Sequence, residues 1–160
     1  MSTTQRYIGS PNGVVGCWDG RDDRGIRGRL YHHYTVEACG FTNLEELVHG
    51  MEALFDRMGY PQPTHTRRTF IKEPSVPRKK GMVSVMTDEE MLNQHGDLGT
   101  FVIRVQHRQN SSWQGRLTWL EEDKTVNFRS VWEMVRLVEN ALGSEGIELP
   151  NWFPEEEKQD

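Results

Sequence analysis

Two stretches of the chain alternate between apolar and polar residues, and each is followed by apolar residues at helical spacing. Period-two alternation predicts strands with one buried face, and spacing of three and four predicts an amphipathic helix. The first stretch predicts strands over 14–18 and 26–34 and a helix over 44–58. The second predicts strands over 101–108 and 113–120 and a helix over 131–142. Each stretch therefore predicts a hairpin followed by one helix.

Both predicted helices begin with a capping signal. Asn43 is followed three residues later by Glu46, and Ser130 is followed in the same way by Glu133. At this spacing the first side chain accepts a hydrogen bond from the backbone N–H of the glutamate, which reaches back to the cap. Gly59 predicts the end of the first helix, because glycine adopts the left-handed cap conformation at little cost.

The two stretches resemble one another. A shift of 87 positions places Gly28-Arg29-Leu30 on Gly115-Arg116-Leu117 without a gap, and it also places Phe41 on Phe128. The matches coincide with the strand, helix and cap signals, which is typical of a duplicated unit. The sequence predicts an α+β fold in which two pseudo-repeated ββα units pack as one compact domain about a pseudo-twofold axis. Whether the strands form one sheet or two is left open.

The remaining segments have weaker patterns. The predicted division is a flexible lead-in over 1–13, a first unit over 14–59, a connecting segment over 60–100, a second unit over 101–146 and an acidic tail over 147–160. Within the connection we expect an edge strand from Thr66 to Ile71, a short strand from Val83 to Met86 and a helical turn capped by Thr87. We expect no separate hydrophobic core there.

Composition narrows the class of protein. No apolar run approaches the roughly 20 residues of a membrane span, and the first residues lack the apolar core of a secretion signal. These features predict a cytoplasmic protein with no membrane partner. Cys17 and Cys39 form no C-x-x-C pair, so we expect two reduced and largely buried thiols. The formal net charge of -5 argues against attraction of the whole molecule to nucleic acid, although a local basic face is compatible with it.

Sequence signatures of common enzymes are absent. The chain has no phosphate-binding loop, no dinucleotide-binding glycine motif, no nucleophile elbow and no H-E-x-x-H motif. Its six histidines show no ligand spacing, since the adjacent His32 and His33 point to opposite strand faces. The sequence thus favours a non-enzymatic protein with no cofactor, no metal site and no catalytic residue.

The polar strand faces carry the candidate binding residues. If each helix covers the apolar side of its hairpin, arginines and aromatic residues collect on the uncovered side. Guanidinium groups suit carboxylate or phosphate, and aromatic rings among them can stack on bases. The alternative is a solvated face whose arginines pair with acidic residues of the turns and tail. The predicted binding residues are Arg27, Arg29, Tyr31, Arg104, Arg108 and Arg116.

The second unit resembles a known group of sequences. The runs Arg108-Gln109-Asn110, Trp113-Gln114-Gly115 and Phe128-Arg129-Ser130 resemble the signature RQN-x-x-WQG followed by FRS-x-x-EL. Small bacterial proteins of clostridia-like Firmicutes with no known activity carry that signature. Upstream, Gly28-Arg29-Leu30-Tyr31-His32 is similar to their N-terminal half. The resemblance implies a bacterial cytosolic protein and implies no catalytic residue.

Two functional hypotheses follow from the sequence. The first is an interaction module that forms a homodimer or docks on a protein partner. The second is a protein that binds nucleic acid or a small anionic ligand through the arginine-rich sheet face. The acidic net charge favours the first hypothesis, and the clustered arginines favour the second.

Overall fold

The computed structural model describes residues 7–143 and residue 152. The strands are β1 (Val14–Asp22), β2 (Gly25–Tyr31), β3 (Cys39–Phe41), β4 (Gly99–His107), β5 (Gln114–Trp119) and β6 (Lys124–Phe128). The helices are α1 (Leu44–Met58), α2 (Asp88–Leu92) and α3 (Val131–Ala141). The α+β class predicted from the sequence is confirmed.

All six strands belong to one antiparallel sheet with the order β3-β2-β1-β4-β5-β6. β1 and β4 pair at its centre, where Val15 lies opposite Val102. Each long helix follows three strands. The sequence pattern predicted two before the first helix, and before the second it also allowed a short third strand from Thr125 to Phe128, which corresponds to β6. The extra strands β3 and β6 are short and form the two edges of the sheet. The strands of both halves thus form a single continuous surface.

Positions 87 apart in the chain pair in the same way. Gly28 lies opposite Phe41, and Gly115 lies opposite Phe128. A Cβ atom at Gly28 would lie 2.1 Å from the carbonyl oxygen of Cys17, and one at Gly115 would lie 1.9 Å from that of Arg104. Both glycines therefore allow a close approach of the neighbouring strand that no larger residue permits. β-bulges also occur at matching places in β1 and β4.

One face of the sheet packs against α1 and α3 and forms the main core. Its largest fully buried side chains include Trp18, Phe55, Trp113 and Phe128. Phe55 contacts Trp113 edge to face, with ring centroids 5.5 Å apart. The predicted burial of Trp113 and Phe128 is confirmed, since they are 0% and 2% exposed.

The helix ends follow the predicted caps. The side chain of Asn43 accepts from the backbone N–H of Glu46 at 2.9 Å, and that of Ser130 accepts from the N–H of Glu133 at 3.0 Å. Gly59 closes α1 with φ of 66°, in the left-handed region. The capping signals thus locate both long helices correctly.

The other face of the sheet carries a second, smaller core. Its buried members are Ile8, Val15, Cys17, Tyr31, Met86, Met91, Val102 and Leu120. Thr87 caps α2 as predicted, and α2 contributes Met91 to this cluster. The connecting segment thus contributes Met86 and Met91 to a core that it shares with the sheet, a contribution that the sequence pattern did not predict. Its methionines lie far from the strands in sequence and show no helical periodicity.

Residues 7–13 of the predicted lead-in are packed rather than flexible. Ile8 is fully buried, and the side-chain amide of Asn12 donates to the backbone oxygen of Val105 at 2.8 Å. A buried amide with a backbone partner fixes this segment on the sheet. The other residues of the lead-in, the end of the second unit at Gly146 and the predicted tail lie outside the described residues, apart from the exposed Trp152.

Three other expectations were wrong. The segment from Thr66 to Ile71 is exposed and forms no strand, and neither does Val83 to Met86. β-branched composition does not make a strand where no neighbouring strand offers hydrogen bonds. Cys39 is exposed at the sheet edge, whereas Cys17 is buried. Among the described residues no helix is long and apolar enough to cross a membrane.

Candidate functional site

Two arginines face one another on the sheet side opposite α1 and α3. Arg104 of β4 and Arg116 of β5 are direct cross-strand partners. The guanidinium of Arg104 donates to the backbone oxygens of Ile8 and Tyr7 at 2.5 and 2.7 Å, and to the hydroxyl of Thr118 at 2.9 Å. These acceptors are neutral, so they fix the side chain without cancelling its charge.

Arg116 is exposed and forms no hydrogen bond or ion pair with any described residue. Like charges directly opposite one another across two strands are destabilising. Burial lowers the pKa of Arg104, and the charge of Arg116 lowers it further, while Asp88 has a smaller opposing effect. The pair is therefore a local concentration of positive charge that no ion pair within residues 7–143 compensates.

A groove of about 360 Å³ lies over this pair. The hydroxyls of Thr118 and Thr125 are 2.9 Å apart on its floor, and the amide of Gln106 also lines it. Asp123 lies at the groove as well, but no salt bridge joins it to either arginine in the described structure. Guanidinium forks beside hydroxyl and amide donors form a site that suits a carboxylate or a phosphate.

The corresponding positions in the first half carry a different set of residues. Cys17, Asp19 and Arg29 stand 87 positions before Arg104, Gln106 and Arg116. Arg29 donates to both carboxylate oxygens of Asp19, at 2.7 and 3.0 Å. This bidentate pair holds the pKa of Asp19 below its usual value and raises the pKa of Arg29. In the first half Asp19 thus neutralises Arg29, whereas no described acid pairs with Arg116 in the second half.

The remaining predicted residues of the first half belong to that neutralised cluster. Tyr31 is buried, and its hydroxyl accepts from Arg29 at 2.7 Å. Arg27 lies 3.9 Å from Asp22, with both side chains about half exposed. β1 lies between β2, which carries these residues, and β4, which carries Arg104. The structure therefore brings Arg104 and Arg116 together and places Arg27, Arg29 and Tyr31 elsewhere.

Arg108 does not lie on this face, so its predicted placement beside the other arginines was wrong. A β-bulge in β4 inserts Gln106, because Val105 pairs with Gly115 and His107 pairs with Gln114. An inserted residue reverses the alternation beyond it. Arg108 consequently points to the side of α1, where it is only 4% exposed.

The buried Arg108 is an anchor for α1. Its guanidinium lies 2.7 Å from Asp56 and 3.3 Å from Glu52, and it donates to the backbone oxygen of Pro61 at 2.6 Å. Trp113 donates its indole N–H to the same Glu52. Two residues of the RQN-x-x-WQG pattern thus have a structural role at the packing of α1 against the second half.

The glutamine of the same pattern closes the turn of the β4–β5 hairpin. The side-chain oxygen of Gln114 accepts from the backbone N–H of Gln109 at 2.9 Å, and its amide donates to the oxygen of Gln109 at 2.9 Å. That amide also lies 3.3 Å from the oxygen of Arg129. These contacts account for Gln114 as a residue that shapes the loop.

Comparisons with protein-family models, with curated proteins and with solved structures found no match for this chain. The resemblance to small bacterial proteins accordingly stays a prediction. No group of three metal-ligating side chains occurs within the part of the chain that the structure describes. The groove is therefore the feature of the described structure that bears on function.

Sequence reasoning missed several groups of the site. The backbone oxygens of Tyr7 and Ile8 were assigned to a flexible segment, and Thr118 and Thr125 were not singled out. One signal was present in the sequence. Under the shift of 87 positions Gln106 corresponds to Asp19, so the second half has an uncharged side chain where the first half has an acid. Only the structure reveals that Asp19 neutralises an arginine.

Proposed function

We propose that the protein is a binding module for a small anionic ligand, which Arg104 and Arg116 hold through a carboxylate or phosphate group. One observation carries the proposal: two facing guanidinium groups line a groove, and no described carboxylate pairs with either of them. A bound anion would relieve the repulsion between them and would add charge-assisted hydrogen bonds.

We also infer that the two halves are copies of one unit related by a pseudo-twofold axis. Matching cross-strand pairs, bulges and caps at an interval of 87 positions support this inference. In this view the site occupies only the second copy. Asp19 neutralises Arg29 in the first copy, and Gln106 leaves Arg116 unpaired in the second. The difference favours ligand binding over a structural role for the second pair.

The first copy suggests the test. Gln106→Asp would supply to Arg116 the carboxylate that Asp19 supplies to Arg29, and it removes no arginine. We expect pyrophosphate to raise the melting temperature of the wild-type protein beyond ionic-strength-matched KCl, by a few degrees at ten times the dissociation constant. Gln106→Asp should abolish that rise, and so should Arg116→Gln.

Gln106→Asn is the matched control, because it keeps an uncharged amide at the bulge. It should retain the stabilisation by pyrophosphate. Isothermal titration calorimetry with inorganic phosphate, pyrophosphate and citrate would then compare the dissociation constants of phosphate and carboxylate ligands. Equal melting temperatures in pyrophosphate and KCl for the wild-type protein would count against the proposal, as would undiminished binding by Arg116→Gln.

Self-association or docking on a protein partner is the second candidate function. β6 is an edge strand with four exposed residues, and Val126 on it and Trp132 on α3 are 47% and 67% exposed. An open edge beside apolar side chains can pair with a strand of another chain. Light scattering over a hundredfold range of concentration tests this, with Val126→Lys as the variant expected to remain a monomer.

A further inference from the structure

The segment between α1 and α2 contains a long exposed loop over residues 62–81, which we call the arm. Each of the residues 62–81 is exposed. The arm is tied down at both ends: the backbone N–H of Thr64 donates to the oxygen of Arg108 at 3.2 Å, and that of Lys79 donates to the oxygen of Arg57 at 2.8 Å. Pro74 and Pro77 restrict its backbone between these ties. Apart from an isolated bridge between Pro63 and Arg108, the arm is an exposed loop without strand structure.

The arm carries charge opposite to that of the remaining protein. Six basic residues lie between Arg67 and Lys80 against the single acid Glu73, which gives the arm +5 in a chain of net charge -5. The only ion pair that the described structure gives the arm joins Arg67 and Glu73 at 3.7 Å, with both side chains more than 60% exposed. Exposed pairs of this kind are weak. The basic residues are Arg67, Arg68, Lys72, Arg78, Lys79 and Lys80.

An aromatic and an aliphatic side chain lie among these charges. Phe70 is fully exposed and Ile71 is 82% exposed. Arg67 and Arg68 precede Phe70, and Lys72 follows Ile71. A ring flanked by cations is the arrangement with which proteins bind single-stranded nucleic acid, because phosphates meet the cations while a base stacks on the ring.

We propose that the arm binds single-stranded nucleic acid, with Arg67, Arg68 and Lys72 on phosphates and Phe70 stacked on a base. This surface is separate from the Arg104–Arg116 groove and does not depend on it. Two adjacent apolar residues offer little area for insertion into a lipid surface. The positive charge alone would suit an acidic protein equally well. The exposed aromatic ring favours nucleic acid, because a base can stack on it.

The test is fluorescence anisotropy with a labelled 12-nucleotide single strand of mixed sequence at 50 to 300 mM KCl. Changing Arg67, Arg68 and Lys72 together to glutamine should weaken binding more than tenfold and reduce the slope of log K against log salt by about 2, since each phosphate contact contributes about 0.7 for a single strand. Phe70→Ala should weaken binding roughly 5- to 150-fold and leave that slope unchanged.

The matched control removes three exposed cations elsewhere, by changing Arg24, Lys124 and Arg129 to glutamine. It has the same net charge as the arm variant and should bind within about threefold of the wild-type protein. Circular dichroism melts should show all variants folded, because the altered residues are exposed.

Four results would overturn the inference. The first is that the wild-type protein does not bind the strand at 50 mM KCl. The second is that the arm and control variants lose strand binding equally. The third is that the arm variant loses binding to phosphatidylserine vesicles but keeps its binding to the strand. A loss of strand binding in Arg116→Gln with none in the arm variant would also overturn it, while it would support the groove as an anion site.

Discussion

Removal of the Arg108 guanidinium should destabilise the protein more than the loss of any exposed arginine. This group lies between two carboxylates of α1 and a backbone oxygen, and it is 4% exposed. Arg108→Met keeps an unbranched side chain of similar length but removes the charge. Glu52 and Asp56, which are about 30% exposed, would then face one another one helical turn apart with no cation between them.

Breaking a buried ion pair by removal of one partner costs about 3 to 5 kcal/mol, because the remaining charge stays uncompensated. For a chain of this size that free energy corresponds to a fall of about 6 to 20 °C in melting temperature. Urea unfolding can be followed by tryptophan fluorescence, to which Trp113, the donor to Glu52, contributes together with the other tryptophans of the chain. We expect the urea concentration at the midpoint of unfolding to fall, while the slope of the unfolding free energy against urea concentration stays the same.

Two comparisons separate this mechanism from a general loss of packing. Arg116→Met on the exposed face should change stability by less than about 0.5 kcal/mol. Addition of Glu52→Gln and Asp56→Asn to Arg108→Met should restore part of the lost stability, because it removes the unpaired charges. A loss below about 1 kcal/mol in Arg108→Met, or no recovery in the triple variant, would refute the reasoning.

Three further outcomes can be checked. Phe128→Ala should cost about 3 to 5 kcal/mol in urea unfolding through the cavity that it leaves, and an unchanged midpoint would contradict this. Cys39 should react with a thiol reagent at pH 8 while Cys17 reacts only after denaturation, since burial raises the pKa of Cys17 to about 11; two thiols titrating in the native state would disprove it. The Arg29 guanidinium lowers the pKa of Asp19 in the folded protein. The ion pair therefore stabilises the fold fully above the pKa of Asp19 in the unfolded chain, about 4, and this stabilisation is lost as pH falls through the lower pKa of the folded state. The stability gap between wild type and Asp19→Asn should therefore shrink below pH 4, and a constant gap would argue against the ion pair.

The sequence predicted local features well because their causes are local. The caps at Asn43 and Ser130 depend on a residue three positions away, and the alternation in β2 and β5 depends on burial of one face. The glycine pair at 28 and 115 was visible in the offset, but its close contact with the neighbouring strand needed the sheet register. Such features were within reach of pattern analysis.

The errors have a common cause, which is that position in space depends on partners far away in the chain. A single bulge at Gln106 moved Arg108 from the exposed face to the buried one, and no composition signal marks a bulge. Ile8 and Met91 cover the second face of the sheet although each stands in a segment with weak periodicity. Of the three arginines predicted for one face of the second half, Arg104 and Arg116 lie there and Arg108 lies on the opposite face.

The cover over the second face also explains why the two halves differ. Cys17, the counterpart of Arg104, is fully buried in the cluster with Met86 and Met91, so no guanidinium fits at that position. Arg104 lies beyond the cover and reaches the backbone oxygens of residues 7 and 8 at its rim. In the proposed function, the uncharged Gln106 leaves Arg116 available to an anion in the second half, whereas Asp19 pairs with Arg29 in the first half.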